Sequence, residues 1–209
     1  EQAGVLGTLA LTDVDDPSRY GLVRLLADRR VEAFVEKPTA DQLRPGEPFR
    51  INAGTYLFDA EILDEIPAGE TCSIERDVFP RLAAERRLAG FPSDAYWRDI
   101  GTPESYLQAH LDMLRGAVRS DAPTGERYLG EGCLVADTAV IGGYASVGDA
   151  VEVGEGAIVT GSVVGRATRL GSRVRIDGAI VGAAVDVHEG VHLGSGVVIG
   201  DHARIAAGL

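Results

Sequence analysis

Four polar side chains in the first half of the sequence are of types that could bind a phosphate group and the hydroxyl groups beside it. Lys37 is the only lysine in a chain of 209 residues, and it stands between Glu36 and Pro38. A lysine ammonium is a compact charge with three donors, which suits a phosphate monoester at the end of a strand. Glu36, an acceptor when ionised, and Asn52, which can both donate and accept, suit hydroxyl groups.

The fourth side chain, Asp99, comes just before a helix that we expect to begin after Thr102, with Pro103 as its first residue. Helix N-termini attract phosphate, and a carboxylate there can hold a magnesium ion that bridges phosphates. Each of these residues also has a structural explanation when it is taken singly. Glu36 and Lys37 could form a solvated strand end, Asn52 could be a turn residue, and Asp99 could extend a helix cap.

The elements that must position these side chains are typical of a mixed α/β fold over residues 1–115. Strands near 21–26 and 31–36 form a predicted hairpin, and 51–58 reads as a further strand. Gly54 lies inside that strand, which predicts close approach by a ligand or by another backbone.

Three helices are also predicted in the first half. One covers 59–66 and ends before Pro67, one covers 73–87 with Ser73 as its N-cap, and one runs from Thr102 to Gly116. The composition of residues 117–131, which is rich in glycine, proline and charge, predicts a linker.

From residue 132 the period of the sequence changes to six. Aliphatic residues recur at this spacing with two slips of one residue, which indicates a hexapeptide repeat: Val135, Ile141, Val147, Val153, Val159, Val164, Leu170, Ile176, Val181, Val187, Leu193, Ile199 and Ile205. These side chains should point inward, with three hexads closing one coil and about four coils in all. Such a repeat resembles the left-handed parallel β-helix, and the handedness follows from that resemblance alone.

The remaining candidates for chemistry are better explained by structure. His188, His192 and His202 lie in strand-and-turn repeats, where the four-residue spacing of the first two has no metal-binding meaning, and we expect them to be solvated. Cys72 and Cys133 form no disulfide framework or metal cluster, so we expect a small buried residue and a linker residue. A reducing cytoplasm is the default location for such a chain.

Charge and hydropathy exclude two classes of partner. The formal net charge is -12 and no basic stripe is present, so nucleic acids and anionic membranes are poor partners. No apolar run reaches the length of a membrane span. An anionic small molecule would therefore have to be bound by a few placed groups or by a metal ion.

Taken together, several motifs resemble the sugar-1-phosphate nucleotidyltransferases, and within that family chiefly the mannose-1-phosphate guanylyltransferases. They are DPSRYG (16–21), FVEKP (34–38), NAGTYLF (52–58), SIERDVFP (73–80) and YWRDIGTPESY (96–106), followed by the hexapeptide repeats. The order and spacing match the C-terminal two thirds of the family. The resemblance implies a partial Rossmann-like nucleotidyltransferase domain over 1–116, the linker over 117–131 and a left-handed β-helix over 132–209.

The resemblance also implies roles for particular residues. Glu36 and Asn52 would bind the sugar and Lys37 its phosphate. Tyr20 and Gly21 would border the sugar pocket, and Asp99 would bind Mg2+. The implied reaction joins a sugar 1-phosphate, chiefly mannose 1-phosphate, to a nucleoside triphosphate, chiefly GTP, with release of pyrophosphate. The β-helix implies a homo-oligomer.

One departure from the family is large. Its glycine-rich loop, G-x-G-x-R-x-x-P-x-T, which holds the triphosphate, does not occur in this sequence. We therefore expect a fragment of a longer protein or one part of a split one, inactive by itself, with a half sheet that exposes an apolar edge. The ending RIAAGL within a hexad is consistent with that expectation.

Two other functions remain open. One is a non-catalytic regulatory subunit of the same fold, although Glu36, Lys37, Asn52 and Asp99 are all intact. The other is a hexapeptide-repeat acyltransferase, which would need a catalytic histidine at a subunit boundary and a site for coenzyme A.

Overall fold

Two compact units divide the chain, Glu1–Trp97 and Arg98–Leu209. The computed structural model describes residues 4–206, so the last three residues of the ending RIAAGL lie outside the described part. The division falls after Trp97, whereas the sequence motifs placed the end of the first domain at residue 116. The helix that follows Arg98 accounts for the difference, because its packing partners belong to the second unit.

The first unit is built on a five-stranded mixed sheet in the order β3-β2-β4-β1-β5. Its strand β1 runs parallel to β5, while the other described pairings are antiparallel. The predicted hairpin and the predicted strand over 51–58 are confirmed. The strands are β1 (Gly7–Asp13), β2 (Gly21–Leu25), β3 (Val31–Glu36), β4 (Arg50–Phe58) and β5 (Leu88–Pro92).

One face of this sheet carries the core, and the helix α1 (Phe79–Ala84) covers it. The Phe34 and Phe79 rings meet edge to face with centroids 5.2 Å apart. Leu57 and Phe91 are 76% and 56% exposed. Leu57 lies on the central strand β4 and Phe91 on the edge strand β5, so the exposed apolar residues are not confined to an edge as predicted. The hairpin end also closes on β5 through a bridge between Arg30 and Ala89.

The segment 73–87 is shorter and less regular than the single helix that the sequence predicted. A π-helical turn, Ile74–Val78, precedes α1, and the helix ends at Ala84. Ser73 caps the turn as expected, accepting from Arg76 N at 3.3 Å. Pro80 explains the irregularity, because it has no N–H to donate to the carbonyl four residues before it. Two short 3₁₀ helices, Ala40–Gln42 and Ala60–Glu65, complete the unit.

The second unit begins with the helix α2 (Pro103–Leu114), and its predicted start is confirmed. The Thr102 hydroxyl accepts from Ser105 N at 3.2 Å, and Pro103 occupies the first turn, where its missing N–H costs nothing. The apolar residues Leu107 and Leu111 line a groove of about 140 Å³ with Ile180 and Val198 of the repeat region. Helix α2 therefore packs within the second unit.

The repeat region is a parallel β-solenoid of about four turns, consistent with the predicted left-handed β-helix. Its strands stack in three sheets. They are β6 (Arg127–Leu129), β7 (Leu134–Val135), β8 (Val140–Gly142), β9 (Ala145–Val147), β10 (Glu152–Val153), β11 (Ile158–Thr160), β12 (Val163–Val164), β13 (Arg169–Leu170), β14 (Arg175–Asp177), β15 (Ile180–Val181), β16 (Asp186–Val187), β17 (His192–Leu193), β18 (Val198–Ile199) and β19 (Arg204–Ile205).

The inward positions predicted from the six-residue period form the core of the solenoid. Ten of the predicted residues are buried, from Ile141 to Leu193, while Ile199 and Ile205 are partly buried against the same core. Val135 differs, with 37% of its surface exposed. The two slips are absorbed by coils one residue shorter than three hexads, since Glu152 pairs with Arg169 and Arg169 with Asp186.

The stretch whose composition predicts a linker contains the first solenoid strand. Strand β6 lies within residues 117–131 and pairs in parallel with β9, so Tyr128 stands beside Ser146. The composition of this stretch did not indicate a strand, because a short solenoid strand needs only one inward-facing residue. Within residues 4–206, no helix is long and apolar enough to cross a membrane.

Candidate functional site

Lys37 sits at the end of β3 in a left-handed backbone conformation, with φ of 50°. Its amide donates to the carbonyl of Tyr20 at 2.9 Å, and its side chain is exposed. This conformation costs a residue with a side chain about 1–2 kcal/mol. The hydrogen bond ties Lys37 to Tyr20, so two of the predicted site residues lie at the same end of the hairpin.

The DPSRYG motif forms the turn that presents Tyr20. Ser18 N donates to Asp16 Oδ1 at 2.9 Å, and Tyr20 N donates to the carbonyl of Pro17 at 2.9 Å. The hydrogen bond from the Ser18 amide holds the pKa of Asp16 below its usual value. The hydrogen bond from Ser18 N to Asp16 and the one from Tyr20 N to Pro17 hold the shape of the turn.

Gly21 is required where β2 faces β3. It pairs directly with Glu36. A methyl group on Gly21 would lie 2.5 Å from Cζ of Phe34 and 3.2 Å from Oε2 of Glu36. Any larger residue would displace the Phe34 ring from the core or move the Glu36 carboxylate, so Gly21 borders the site by leaving room for both.

Asn52 lies on β4 opposite Leu11, where the strand bulges. Gly54 forms the bulge with φ of 76°, and nothing within 4 Å would meet a side chain there. Close approach by another backbone is therefore not the reason for glycine here, because the strand needs glycine for its backbone conformation; the approach of a ligand stays a prediction. The bulge lets Gly54 N donate to Oδ1 of Asn52 at 3.2 Å.

Two residues that no sequence pattern singled out, Tyr56 and Glu75, are hydrogen-bonded to Asn52. The side-chain amide of Asn52 donates to the hydroxyl of Tyr56 at 2.8 Å and to Oε1 of Glu75 at 2.9 Å. Asn52 itself is buried, with 7% of its surface exposed. Glu75 lies within the helix predicted over 73–87, and the only available signal was its place in the SIERDVFP motif.

The charge of Glu75 acts on the carboxylate of Glu36. Partial burial raises the pKa of Glu36 first, and the charge of Glu75 raises it further, against the opposing charges of Lys37 and Arg76. Burial likewise raises the pKa of Tyr56, opposed by its hydrogen bond with Asn52 and reinforced by the two carboxylates. The site therefore contains two carboxylates, and Lys37 adjoins Glu36 along the chain.

Trp97, the only tryptophan in the sequence, braces this arrangement. Its indole N–H donates to the carbonyl of Ala53 at 2.9 Å, next to Asn52. Its ring meets that of Tyr20 edge to face, with centroids 5.5 Å apart. The structure thus brings together Tyr20, Gly21, Glu36, Lys37 and Asn52 within the first unit.

Asp99 belongs to the second unit, where its carboxylate is exposed and Oδ1 accepts from Gly101 N at 3.0 Å. Among residues 4–206, no group of three or more acidic, histidine or cysteine side chains could hold a metal ion unaided. Mg2+ usually keeps several waters and binds through one or two carboxylates together with substrate phosphates. A single exposed carboxylate fits that mode of binding.

The histidines of the solenoid are only partly as expected. His192 and His202 are exposed. His188 is half-buried, accepts from Arg204 Nε at 3.1 Å and lies 3.5 Å from Oδ2 of Asp186. Cys133 is a solenoid residue rather than a linker residue, since it packs on the core and its thiol reaches the carbonyl of Gly148 at 3.1 Å. Cys72 packs against the core of the first unit.

Two family models match the chain and cover most of it. The model described as nucleotidyl transferase matches residues 1–116, and the model described as the GMPPB C-terminal domain matches residues 124–209. The first match contains the five-stranded sheet, Lys37, and Asn52 with its hydrogen-bond partners Tyr56 and Glu75. The second contains the solenoid.

The chain is also similar to curated proteins of several organisms. It is 38% identical over 165 residues to the mannose-1-phosphate guanylyltransferase of Mycobacterium tuberculosis, covering 75% of this chain and 44% of that protein. It is 33% identical over 220 residues to the probable mannose-1-phosphate guanylyltransferase 2 of Oryza sativa, covering 92% of this chain and 59% of that protein. It is 38% identical over 147 residues to the mannose-1-phosphate guanylyltransferase catalytic subunit beta of Danio rerio, covering 68% of this chain and 39% of that protein.

The chain thus spans about half the length of the curated relatives it matches. The sheet, the EKP and NAG motifs and the match over residues 1–116 agree with one another. On these grounds the chain belongs to the nucleotidyl transferase family.

Proposed function

We propose that this chain supplies the sugar-phosphate-binding region and the β-solenoid of an enzyme that forms GDP-mannose and pyrophosphate from mannose 1-phosphate and GTP. The names of the curated relatives support this choice of substrates. The observation that carries the proposal is the placement of Lys37. It is the only lysine, it is exposed, and its amide is bonded to Tyr20 beside the Glu36 carboxylate.

In the proposed complex the ammonium of Lys37 binds the phosphate of the sugar and Glu36 accepts from its hydroxyl groups. Tyr20 and Trp97 form an aromatic wall, and Gly21 keeps the space beside Glu36 open. A flexible ammonium can follow the phosphate as it reacts, whereas an arginine fork would be longer and planar. The proposal thus explains a lysine in a chain that otherwise uses arginine.

The proposed reaction is an in-line displacement. An oxygen of the sugar phosphate forms a bond to the α-phosphorus of GTP, the bond to the β-phosphate breaks, and pyrophosphate leaves with the electron pair. Positioning and charge neutralisation carry most of such a reaction. Asp99 is the proposed ligand of Mg2+, which when bound would neutralise charge on the phosphates.

The test is the binding of mannose 1-phosphate to this chain, measured by calorimetry and by the fluorescence of Trp97. Lys37→Ala should weaken binding by roughly 10- to 100-fold, because a hydrogen bond to a charged group is worth about 1.5–3 kcal/mol. Lys37→Arg should also weaken it. Arg166→Ala, which removes an exposed positive charge from the solenoid, is the matched control and should have little effect.

Two results would contradict the proposal. One is a wild-type chain that does not bind mannose 1-phosphate. The other is binding that Lys37→Ala and Arg166→Ala reduce to the same extent, which would indicate a general effect of net charge.

A further inference from the structure

The Asn52 side chain makes no donor available to a ligand. One N–H of its amide goes to the Tyr56 hydroxyl at 2.8 Å and the other to Oε1 of Glu75 at 2.9 Å. Its oxygen accepts from Gly54 N at 3.2 Å. An asparagine amide has two N–H donors and both are used, so Asn52 can at most accept one further hydrogen bond. Its hydrogen bonds hold the side chains of Glu75 and Tyr56 in place.

Glu75, in contrast, keeps binding capacity. Asn52 engages only Oε1, so Oε2 is available to accept from a ligand. Glu75 is partly exposed and lies in the π-helical turn Ile74–Val78, whose shape follows from Pro80. Tyr56 accepts from Asn52, so its own O–H proton is available as a donor beside the carboxylate.

Glu36 ends β3, and the turn Ile74–Val78, which carries Glu75, packs against this strand. The Glu36 carboxylate lies over Gly21 on the sheet face that also carries Phe34, which packs on Phe79 of α1. Partial burial raises the pKa of Glu36, and the negative charge of Glu75 adds to that rise. Two partly buried carboxylates in one pocket repel, and a ligand that donates hydroxyl protons to both offsets part of that repulsion.

We propose that Glu75 is a second sugar-binding carboxylate, which accepts hydrogen bonds from ring hydroxyls of the sugar phosphate alongside Glu36, and that Asn52 is the positioning residue that holds it. The inference rests on the proposed function, since it concerns the same pocket. In this proposal, Glu36 and Glu75 bind the hydroxyl groups of the sugar ring, and Lys37 binds the phosphate.

Two ligands separate these roles, mannose 1-phosphate and inorganic phosphate. Glu75→Gln keeps the Oε1 acceptor for Asn52 and removes the charge. This variant should weaken the binding of mannose 1-phosphate by about tenfold, equivalent to about 1.4 kcal/mol, and leave the binding of inorganic phosphate almost unchanged. Lys37→Ala should weaken both ligands. Glu70→Gln removes the same charge from an exposed side chain and serves as the matched control.

A second pair of variants tests the positioning role. Asn52→Ala should weaken mannose 1-phosphate about as much as Glu75→Gln, and the double variant should be little worse than either single one. Such non-additivity is expected when one residue acts through the other. A merely structural role of Asn52 would weaken inorganic phosphate as well.

The outcomes distinguish the two proposals. If Lys37→Ala abolishes binding of mannose 1-phosphate and Glu75→Gln leaves it unchanged, this inference is overturned and the proposed function stands. If the wild-type chain does not bind mannose 1-phosphate, both fall. Equal loss of the two ligands in Glu75→Gln also overturns the inference.

Folding is checked by urea titration with Trp97 fluorescence as the probe. If Glu75→Gln lowers the midpoint, Glu75→Asp replaces it, because that variant keeps the charge and draws the carboxylate back by one methylene group. It too should weaken mannose 1-phosphate and spare inorganic phosphate. Binding equal to wild type in Glu75→Asp would overturn the inference.

Discussion

The solenoid and the candidate site use the same left-handed backbone conformation in different ways. In the solenoid, residues with side chains take positive φ again and again at the corners: Tyr144, Ala150, Ala167, Arg173, Ala184 and His202. In the first unit Lys37 takes it where a strand ends beside Glu36. The cost per residue is similar, about 1–2 kcal/mol.

What offsets this cost differs between the two regions. Each solenoid corner joins a ladder between coils, as when Ala184 N donates to the carbonyl of Arg166 at 2.8 Å and His202 N to that of Ala183 at 2.8 Å. The aliphatic core runs beneath the ladder. Lys37 has the hydrogen bond to Tyr20 and an exposed side chain. A residue held in an unfavourable backbone conformation by few contacts is typical of functional sites. The same conformation repeated in every coil is instead part of how a solenoid is built.

The largest effect is expected at a solenoid glycine that leaves room for the neighbouring coil. In Gly165→Ala the new methyl group would lie 2.5 Å from the carbonyl carbon of Gly182, and backbone atoms cannot move aside easily. We expect a loss of about 3 kcal/mol in the unfolding free energy of the second unit, measured by hydrogen exchange of its amides.

Gly194→Ala is the control for that substitution. A methyl group on Gly194 would meet nothing within 4 Å, so stability should change by less than about 0.5 kcal/mol. Similar losses in both variants would mean that close approach of the coils is not the reason for glycine at 165.

A smaller effect is expected for Gly54→Ala, because here glycine serves conformation rather than space. Its φ is 76° and the surroundings are open. We expect a loss of about 1–2 kcal/mol in the unfolding free energy of the first unit, followed by Trp97 fluorescence in urea. A loss as large as that of Gly165→Ala would contradict the distinction between the two glycines.

A lysine at position 37 should lower the stability of the folded chain while it provides the charge that binds phosphate. Glycine adopts positive φ without strain, so Lys37→Gly should be more stable than Lys37→Ala by about 1 kcal/mol in urea titrations. Both variants should lose the phosphate ligand to the same extent. Equal stability of the two would show that the backbone of Lys37 is not strained.

The smallest effect concerns pH, because both carboxylates are partly exposed to water. The folded-state pKa of Glu36 is raised by burial and by Glu75, so the folded state binds its proton more tightly than the unfolded state does. Stability therefore falls as pH rises from the ordinary pKa of a glutamate through the raised one. The groups that face Glu36 are Glu75 and Arg76 from the turn, Tyr56 from β4 and the adjacent Lys37.

Glu75→Gln removes the repulsion but not the burial, so the fall in stability should become shallower without disappearing. The unfolding free energy of the first unit, measured against pH by Trp97 fluorescence, checks this. Glu70→Gln should keep the wild-type slope. An unchanged slope in Glu75→Gln would show that the two carboxylates do not interact.

The period of the sequence was enough to predict which solenoid side chains face inward, since a six-residue repeat has one way to bury its aliphatic residue. The period did not predict the structure at the two slips, where a side chain makes hydrogen bonds to backbone groups. There the Ser162 hydroxyl accepts from Ala179 N at 3.1 Å and donates to the carbonyl of Thr160 at 2.7 Å.

The candidate site was predictable only in part. Local signals pointed to Glu36, Lys37 and Asn52, because each stands in a short motif beside a strand. Glu75 escaped notice because its partner Asn52 is 23 positions away and the contact depends on a bulge and a π-helical turn.

By itself, the sequence determined the strands of the hairpin, the cap of α2 and the inward face of the solenoid, all of which depend on residues close together along the chain. The tertiary structure alone decided the left-handed backbone of Lys37, the orientation of Asn52 and the hydrogen bond that joins Asn52 to Glu75. These features arise where distant segments meet, and there the geometry is determined by packing and by which buried polar groups find a partner.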